Sequence, residues 1–370
     1  MSLISLNASK CILSLARESE CNKCEVICPT DAIVVGENPL PAINFSSCVG
    51  CGACDAICPN EALSLDTFKP TEFFFEFLED KENLISCQKN VPCIAAFSVE
   101  YIISLAVLKK DMILDMGHCD DCSISHKCKP QIIKNYEEAT YILNAMESEA
   151  EIRLEDICFE NEKLQESNES DRRDFFNSIT LGNVVKGKHA FENEIKKATD
   201  ELVKHTLEKE DIALLKKKIV PQKRKLFFTA IKRVSKPSQY HVVDANEVTF
   251  TSQKLLNEDS CTACQMCYRI CPTGALTSDI KNSKIDFDPF LCIKCSICHD
   301  VCEPDAITLS SSYNVKEFFE PTVQNLISFK VRRCDECNVI FSTNSNEKMC
   351  YRCKAEDEEA RELWGITEDM

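Results

Sequence analysis

Cysteine is the residue type most able to do chemistry in this sequence. The chain has 370 residues, and 26 of them are cysteine. An even number of cysteines can indicate a disulfide framework, but such frameworks belong mainly to small secreted domains. The N-terminus "MSLISLNASK" lacks a charged segment followed by an apolar one, so it does not predict export. Reduced thiols at close spacing bind metal, and the sequence therefore predicts several metal centres.

Four segments repeat one cysteine pattern, C-x2-C-x2-C-x3-C, although the first segment lacks its first cysteine. The segments are "CNKCEVICPTDAI" (21–33), "CVGCGACDAICPNEAL" (48–63), "CTACQMCYRICPTGAL" (261–276) and "CIKCSICHDVCEPDAI" (292–307). They form two pairs, because 19 residues separate Cys28 from Cys48 and 20 separate Cys271 from Cys292. The second half of the chain therefore repeats the organisation of its first residues.

The pattern resembles the bacterial two-cluster [4Fe-4S] ferredoxin, present twice, over roughly residues 8–66 and 258–312. In that family the first three cysteines of a run bind one cluster and the fourth binds the other. The resemblance implies four [4Fe-4S] clusters with four ligand sets. These are Cys11, Cys21, Cys24 and Cys58; Cys28, Cys48, Cys51 and Cys54; Cys261, Cys264, Cys267 and Cys302; and Cys271, Cys292, Cys295 and Cys298. In the last run, Glu303 stands where the family has proline, which follows only at Pro304.

The first run has Glu18 where its first cysteine is expected. We expect Cys11 to supply the missing thiolate, because a lengthened first loop occurs in ferredoxin-like electron-transfer subunits and soft thiolate suits iron–sulfur clusters better than carboxylate. Two alternatives remain open at this point. In both alternatives Cys11 is a buried core thiol. In the first the site holds a [3Fe-4S] cluster, and in the second Glu18 serves as an oxygen ligand.

A different cysteine pattern stands near the C-terminus. Two C-x2-C pairs, Cys334 with Cys337 and Cys350 with Cys353, are separated by twelve residues. This spacing resembles a zinc ribbon and predicts one structural zinc over residues 328–360. The alternative is a single iron as in rubredoxin, whose cysteine pairs usually precede glycine. Asn338 and Lys354 follow the pairs here, which favours zinc.

Residues 68–150 predict a small α/β unit. "TEFFFEF", "NLISC" and "DMILDMG" predict strands, and the apolar spacing of "IAAFSVEYIISLAVLKK" predicts a helix. Cysteines fall at the predicted strand ends: Cys87, Cys93, Cys119, Cys122 and Cys128. The arrangement is loosely similar to small iron–sulfur subunits of hydrogenase and heterodisulfide-reductase assemblies. The C-x2-C pair Cys119 and Cys122 favours a fifth centre, iron–sulfur or zinc, over five free thiols.

The remaining segments carry charge rather than metal ligands. Residues 151–185 are polar and acidic and predict a linker, whereas residues 186–250 predict a helical, basic segment. From Lys216 to Lys236 there are nine basic residues and no acidic ones. This stretch is either a solvated helix face or a docking surface for an acidic partner. The predicted units are residues 1–67, 68–150, 151–185, 186–250, 251–315 and 328–360.

Composition limits the possible functions. The chain has eight glycines and neither G-x-G-x-x-G nor G-x4-G-K-[ST], so no usual dinucleotide or P-loop site is predicted. A net charge of −17 argues against nucleic-acid binding, and we expect no membrane span.

The sequence thus predicts an α+β protein of the cytoplasm: a polyferredoxin with two ferredoxin-like units, a small α/β unit, a helical linker region and a zinc ribbon. The resemblance implies partners such as formate dehydrogenase or hydrogenase subunits. The alternatives are an iron–sulfur enzyme with a substrate site in the middle unit, for which an open iron near Glu18 is the best support, and a metal-dependent scaffold or regulator.

Overall fold

The computed structural model describes residues 3–36, 38, 40–157, 214–215 and 217–365. Most of the predicted linker, the first part of the predicted basic helical segment, and Cys158 lie outside these residues. The chain mixes helices with short strands, as expected for an α+β protein. In the part of the chain that is described, no helix is both long enough and apolar enough to cross a membrane.

The N-terminal unit consists of two antiparallel strand pairs and two five-residue helices. Its elements are β1 (Ile4–Leu6), α1 (Lys23–Ile27), β2 (Ile33–Val34), β3 (Ala42–Ile43), α2 (Ala53–Ile57) and β4 (Leu63–Leu65). Strand β1 pairs with β4, so the first and last strands close the unit, and β2 pairs with β3. Ile4, Ile43 and Leu65 are almost fully buried along these pairs.

The middle unit is built on a parallel sheet. Its elements are α3 (Pro70–Glu79), β5 (Leu84–Ile85), α4 (Val99–Lys109), β6 (Asp111–Asp115), α5 (Ser125–Ala145) and β7 (Glu151–Glu155). The strand order is β5-β6-β7, and helices α4 and α5 connect successive strands. Strand β7 lies beyond residue 150, inside the stretch predicted as a linker. Its apolar residues, Ile152 and Leu154, pair with buried positions of β6.

The strand predicted from "TEFFFEF" is wrong, because these residues form helix α3. Pro70 stands at the first helical position, where its missing N–H costs no hydrogen bond. Phe73, Phe74 and Phe77 are buried on one helical face, whereas Phe75 is 52% exposed. A strand would have placed residues 73, 75 and 77 on the same side. The spacing of the buried phenylalanines is therefore helical, and Phe73 and Phe77 stack with ring centroids 5.3 Å apart.

Helix α6 (Gln222–Ile231) joins the middle unit to the second half of the chain by packing against helix α4. The basic stretch is predicted to be either a solvated helix face or a docking surface for an acidic partner. Lys223 and Arg224 are neither, because both side chains are buried within this chain. The Arg224 Nε donates a 2.8 Å hydrogen bond to the buried carboxylate of Glu100 on α4. Lys225, which points away from this contact, is exposed as a solvated face predicts.

The second half of the chain repeats the arrangement of the N-terminal unit. After β8 (Val242–Asp244) its elements are β9 (Lys254–Leu256), α7 (Met266–Ile270), β10 (Leu276–Thr277), β11 (Lys284–Phe287), α8 (Ile297–Asp300) and β12 (Ile307–Leu309). Strand β9 pairs with β12 and β10 pairs with β11, all antiparallel. The outer pair, inner pair and two short helices therefore occur in the same order in both units.

The C-terminal residues extend this second unit and end in a hairpin and a helix. The elements are β13 (Ser312–Asn314), α9 (Lys316–Phe319), β14 (Gln324–Ser328), β15 (Lys330–Arg333), β16 (Ile340–Thr343) and α10 (Tyr351–Trp364). Strand β14 adds a third strand to β11, and β13 pairs with β8. Strands β15 and β16 form the hairpin that carries the first C-terminal cysteine pair.

Candidate metal centres

Three of the four cysteine runs share a left-handed backbone conformation at the residue before their short helix. The residue before each short helix has a positive φ: 80° at Gly52, 72° at Gln265 and 66° at Ser296. Left-handed conformations are costly for residues other than glycine and persist only where the surroundings impose them. Gly52 has a second reason to be glycine, since a Cβ there would lie 2.7 Å from the Cβ of Ala96 in the middle unit.

The first run departs from this conformation. Asn22, at the position corresponding to Gly52, has a φ of −125°. The chain arrives here from Cys11, which lies between two 3₁₀ turns at Ala8–Lys10 and Ile12–Ser14. Cys11 is buried and Glu18 is exposed. Burial raises the pKa of the Cys11 thiol to about 12, and the nearby thiols of Cys58 and Cys21 add to this rise. The structure thus brings Cys11, and not Glu18, to the other cysteines of the site.

The fourth cysteine of every run is followed by the same turn. The third residue after it has a positive φ in each case: 49° at Asp31, 52° at Glu61, 74° at Gly274 and 48° at Asp305. The last of these follows Cys302, where Glu303 replaces the expected proline. The Asp305 N–H donates a 2.9 Å hydrogen bond to the Cys302 carbonyl. The shifted proline therefore does not change the turn.

In the second unit the eight cysteines line two separate cavities. One is lined by Cys261, Cys264, Cys267 and Cys302, and the other by Cys271, Cys292, Cys295 and Cys298. Each cavity takes three cysteines from one run and the fourth cysteine from the other run. Four soft thiol donors around an enclosed space fit an iron–sulfur cluster.

In the N-terminal unit the thiol of Cys24 has Cys58, Cys11 and Cys21 as electrostatic neighbours. Burial raises the pKa of the Cys54 thiol, and Cys51 and Cys48 raise it further. Such crowded, buried thiols resist ionisation unless a cation joins them.

Backbone N–H groups also reach the fourth cysteines of the N-terminal unit. The Ala32 N–H donates a 3.2 Å hydrogen bond to Cys28 Sγ, and the Ala62 N–H donates an equivalent bond to Cys58 Sγ. Hydrogen bonds of this kind stabilise thiolate ligands and tune the potential of a bound cluster.

Two lysines near the candidate ligands carry no signal in the sequence. Lys254, on strand β9, is 3% exposed and hydrogen bonds to the thiol of Cys298. Burial opposes its charge, but Cys292, Cys298 and Cys295 outweigh this effect and raise its pKa. The buried Nζ of Lys223, from helix α6, donates a 2.6 Å hydrogen bond to the Cys58 carbonyl. Only the tertiary fold brings these cations beside cysteines distant in the chain.

Residues 18–68 match the LdpA Fe-S cluster-binding domain. Residues 260–307 match a 4Fe-4S dicluster domain. No curated protein is similar enough to the chain to count as a match. The first matched region begins after Cys11, so the comparison does not bear on that residue, and the second contains all eight cysteines of the two cavities. The chain therefore carries two iron–sulfur-binding domains, one in each half.

The C-terminal cysteines form a compact group of four. The Sγ atoms of Cys334, Cys337, Cys350 and Cys353 lie within 4.8 Å of one another. Cys337 Sγ and Cys350 Sγ are 3.7 Å apart, close to the roughly 3.8 Å edge of a tetrahedron with metal–sulfur bonds of about 2.3 Å. Backbone N–H groups of Cys337 and Cys350 lower the pKa of the Cys334 thiol to about 6. The group is therefore prepared to bind a single metal ion.

The conformation of Asn338 weakens one sequence argument about this site. Asn338 follows the first cysteine pair with a φ of 57°, the left-handed conformation that a glycine would adopt there. Asparagine tolerates this conformation better than most residues. The absence of glycine therefore does not separate zinc from iron at this cysteine pair.

The five middle cysteines lie beyond the carboxyl ends of two neighbouring strands. Cys87 and Cys93 follow β5, whereas Cys119 and Cys122 follow β6. Cys128 is buried in the first turn of helix α5.

Proposed function

We propose that this protein is a polyferredoxin, an electron-transfer protein that holds four [4Fe-4S] clusters in a row. When bound, such clusters accept and donate one electron each. The chain's own part is to hold the clusters at fixed separations, shield them from water and tune their potentials. The observation that carries the proposal is the contact between the loops that carry one candidate ligand set of each unit.

Within each unit the two ligand sets are neighbours. Cys54 of one N-terminal set is an electrostatic neighbour of Cys24 of the other. In the second unit Cys267 of one set is likewise an electrostatic neighbour of Cys298 of the other set. This closeness follows from the exchange of fourth cysteines between the two runs, which links both sites through short backbone segments.

Between the units, two polar contacts bring one set of each unit together. The Nζ of Lys23 donates a 3.4 Å hydrogen bond to the Lys294 carbonyl. The Glu20 N–H donates to the carboxylate of Asp300, which is also an electrostatic neighbour of Cys21. These residues belong to the loops of the Cys11 set and the Cys292 set. The four sets are thus joined in a line, with the Cys261 set at one end and the Cys48 set at the other.

The Cys261 end of this line supports a site of electron exchange with partner proteins. Cys264 is exposed, whereas the other cysteines of the second unit are buried or half-buried. The C-terminal hairpin contacts the same end, because Asn344 Nδ2 donates a 3.0 Å hydrogen bond to the Cys261 carbonyl. Redox partners, such as formate dehydrogenase or hydrogenase subunits in the cytoplasm, are proposed to dock here.

For the C-terminal four-cysteine group we propose one structural zinc. Its tetrahedral thiol spacing supports a mononuclear ion, and the surrounding hairpin and helix α10 offer little apolar core of their own. In such a small module the metal contributes much of the folding free energy. Metal analysis separates zinc from a rubredoxin-like iron.

The position of Cys11 supports electron transfer over the enzyme alternative. That alternative requires an iron with an open coordination position, which the sequence suggested near Glu18. The Cys11 thiol lies with Cys21, Cys24 and Cys58 instead.

Metal content and reductive titration test the proposed function. Protein purified without air should contain at least about 16 iron and 16 acid-labile sulfide per chain, since four cubanes need four of each. Stepwise reduction followed by electron paramagnetic resonance should give signals approaching four spins per chain, broadened by magnetic coupling between neighbouring clusters. About eight iron after anaerobic reconstitution, or sharp uncoupled signals, would refute a continuous line of four clusters.

A further inference from the structure

The carboxyl edge of the middle sheet holds a third group of cysteines, separate from the ferredoxin-like units. Loops at this edge of a parallel sheet are where α/β proteins usually place their functional groups. The loop after β5 supplies Cys87 and Cys93, and the loop after β6 supplies Cys119 and Cys122. Two loops distant in sequence therefore deliver two thiols each to one place.

A buried carboxylate fixes this edge. Asp115, 1% exposed at the end of β6, accepts a 2.6 Å hydrogen bond from the Ser86 hydroxyl at the end of β5. Its other oxygen accepts hydrogen bonds from the Gly117 N–H at 2.9 Å and the Ile157 N–H at 3.0 Å. The Asp115 side chain thus hydrogen bonds to residues that follow each of the three strands β5, β6 and β7. Gly117 also lies so close to Ile157 that a Cβ would stand 2.6 Å from the Ile157 carbonyl oxygen.

The loop after β5 is shaped by its own hydrogen bonds. Asn90 accepts a 3.0 Å bond from the Ser86 N–H and donates a 2.9 Å bond to the Leu84 carbonyl. The loop therefore turns back on the strand, and this places Cys93 opposite the β6 loop. Cys93 is buried, while Cys87 is half-buried.

The four thiols lie near one another. Cys87 has Cys93, Cys119 and Cys122 as electrostatic neighbours, and Cys119 has Cys93 and Cys122. Among the described residues, the C-terminal group is the only one in which three or more potential ligands stand close enough to hold one metal ion. The middle thiols, like those of the four ferredoxin-like sets, do not form such a group.

This difference bears on the kind of metal centre. Thiolates on one zinc are about 3.8 Å apart, because each bond is about 2.3 Å long and the geometry is tetrahedral. Thiolates on different irons of a cubane are roughly 6 Å apart, because the cluster itself separates them. Four neighbouring thiols on two loops that do not close around a single ion therefore fit a cubane better.

Cys128 does not fit as a ligand of the same cubane. Its thiol is within hydrogen-bonding reach of both Cys93 and Cys51. A thiol in contact with Cys93 is too close to it to bind a different corner of one cluster. Cys128 instead lies between the middle group and the set that contains Cys51.

We propose that Cys87, Cys93, Cys119 and Cys122 bind a fifth iron–sulfur cluster of the [4Fe-4S] type, next to the Cys51 site. The fifth centre extends the proposed line of four clusters into the middle unit, but its existence does not depend on the proposed relay. Cys128 forms the wall between the two centres.

Iron analysis with matched variants tests this proposal on the full-length chain. Wild-type protein, purified and reconstituted without air, should contain about 20 iron and 20 sulfide per chain. Cys119→Ala combined with Cys122→Ala should lower both counts to about 16. Cys128→Ala is the control, since it removes a buried thiol of the same region and should leave the count at about 20.

Each outcome decides the question. About 16 iron in the wild type, unchanged in the double variant, would refute the fifth cluster and leave the proposed function standing. A second zinc in the wild type, lost in the double variant, would replace the cluster with a mononuclear site. If the double variant fails to fold and loses all iron, the wild-type iron and zinc counts decide. A loss of four iron in Cys128→Ala but none in the double variant would also overturn the ligand assignment.

Discussion

Replacing Arg224 with Met should loosen helix α6 from helix α4. The Arg224 side chain is fully buried and donates hydrogen bonds to Glu100 Oε1 at 2.8 Å, to the Phe290 carbonyl at 3.3 Å and to the Phe250 carbonyl. Its guanidinium also lies 5.2 Å from the ring centroid of Phe250. Methionine fills much of the same space but leaves the buried Glu100 carboxylate without its main partner.

The expected cost follows from the burial of both charges. Breaking a buried ion pair from one side typically costs about 3–5 kcal/mol. Lys223 Nζ, 3.9 Å from Glu100 Oε2, offers only partial compensation because it already donates to the carbonyls of Ala56 and Cys58. A change of 3 kcal/mol or more in local stability corresponds to a loss of about a hundred-fold or more in amide protection.

Hydrogen exchange measured by mass spectrometry without air is the suitable assay, because denaturant unfolding of a protein with bound clusters is not two-state. Peptides from helices α4 and α6 should exchange faster in Arg224→Met, whereas Lys225→Met, on the exposed face of the same helix, should behave like the wild type. Adding Glu100→Gln to Arg224→Met should restore part of the protection, since the buried carboxylate that lost its main partner is removed. Equal exchange in Arg224→Met and Lys225→Met would refute the role of the ion pair.

Three further predictions concern the metal centres. Cys11→Ser should convert one cluster to a [3Fe-4S] form, which electron paramagnetic resonance detects after mild oxidation. Glu18→Ala should change no cluster. A [3Fe-4S] signal that is already present in the wild type and unaffected by Cys11→Ser would contradict the assignment of Cys11 as a ligand. Lys254→Met should lower the reduction potential of a single cluster, because a buried cation beside Cys298 favours the reduced form of the cluster. A redox titration indistinguishable from that of the wild type would show that Lys254 has no such effect. Cys350→Ala should remove about one zinc per chain and leave the iron content unchanged, so a loss of iron instead would identify a rubredoxin-like site.

The sequence was most informative where chemistry restricts spacing. The cysteine runs predict iron–sulfur binding in both halves of the chain, and the matched domains support this prediction. Each run is local, and its two- and three-residue gaps leave few ways to direct the thiols. Local pattern failed at "TEFFFEF", where four aromatic residues in a row of seven suit either a strand or a helix until it is known which of them are buried.

Tertiary contacts explain the other failures. The basic stretch around Arg224 suggested a surface, because its counter-charge, Glu100, lies 124 residues earlier in the chain. Strand β7 falls inside the predicted linker because the acidic, polar stretch that follows it dominates the composition of residues 151–185, and the pairing of β7 with β6 is not visible in the sequence.

The position of helix α6 in the chain has a consequence for biogenesis. Chains leave the ribosome N-terminus first and begin to fold in that order. The N-terminal and middle units are therefore synthesised before helix α6, whose Lys223 and Arg224 cover the Cys58 segment and neutralise Glu100. Until then, the segment that carries Cys58 is uncovered and Glu100 lacks its counter-charge. A cluster inserted into the first unit during translation would therefore meet the Cys58 segment before helix α6 covers it.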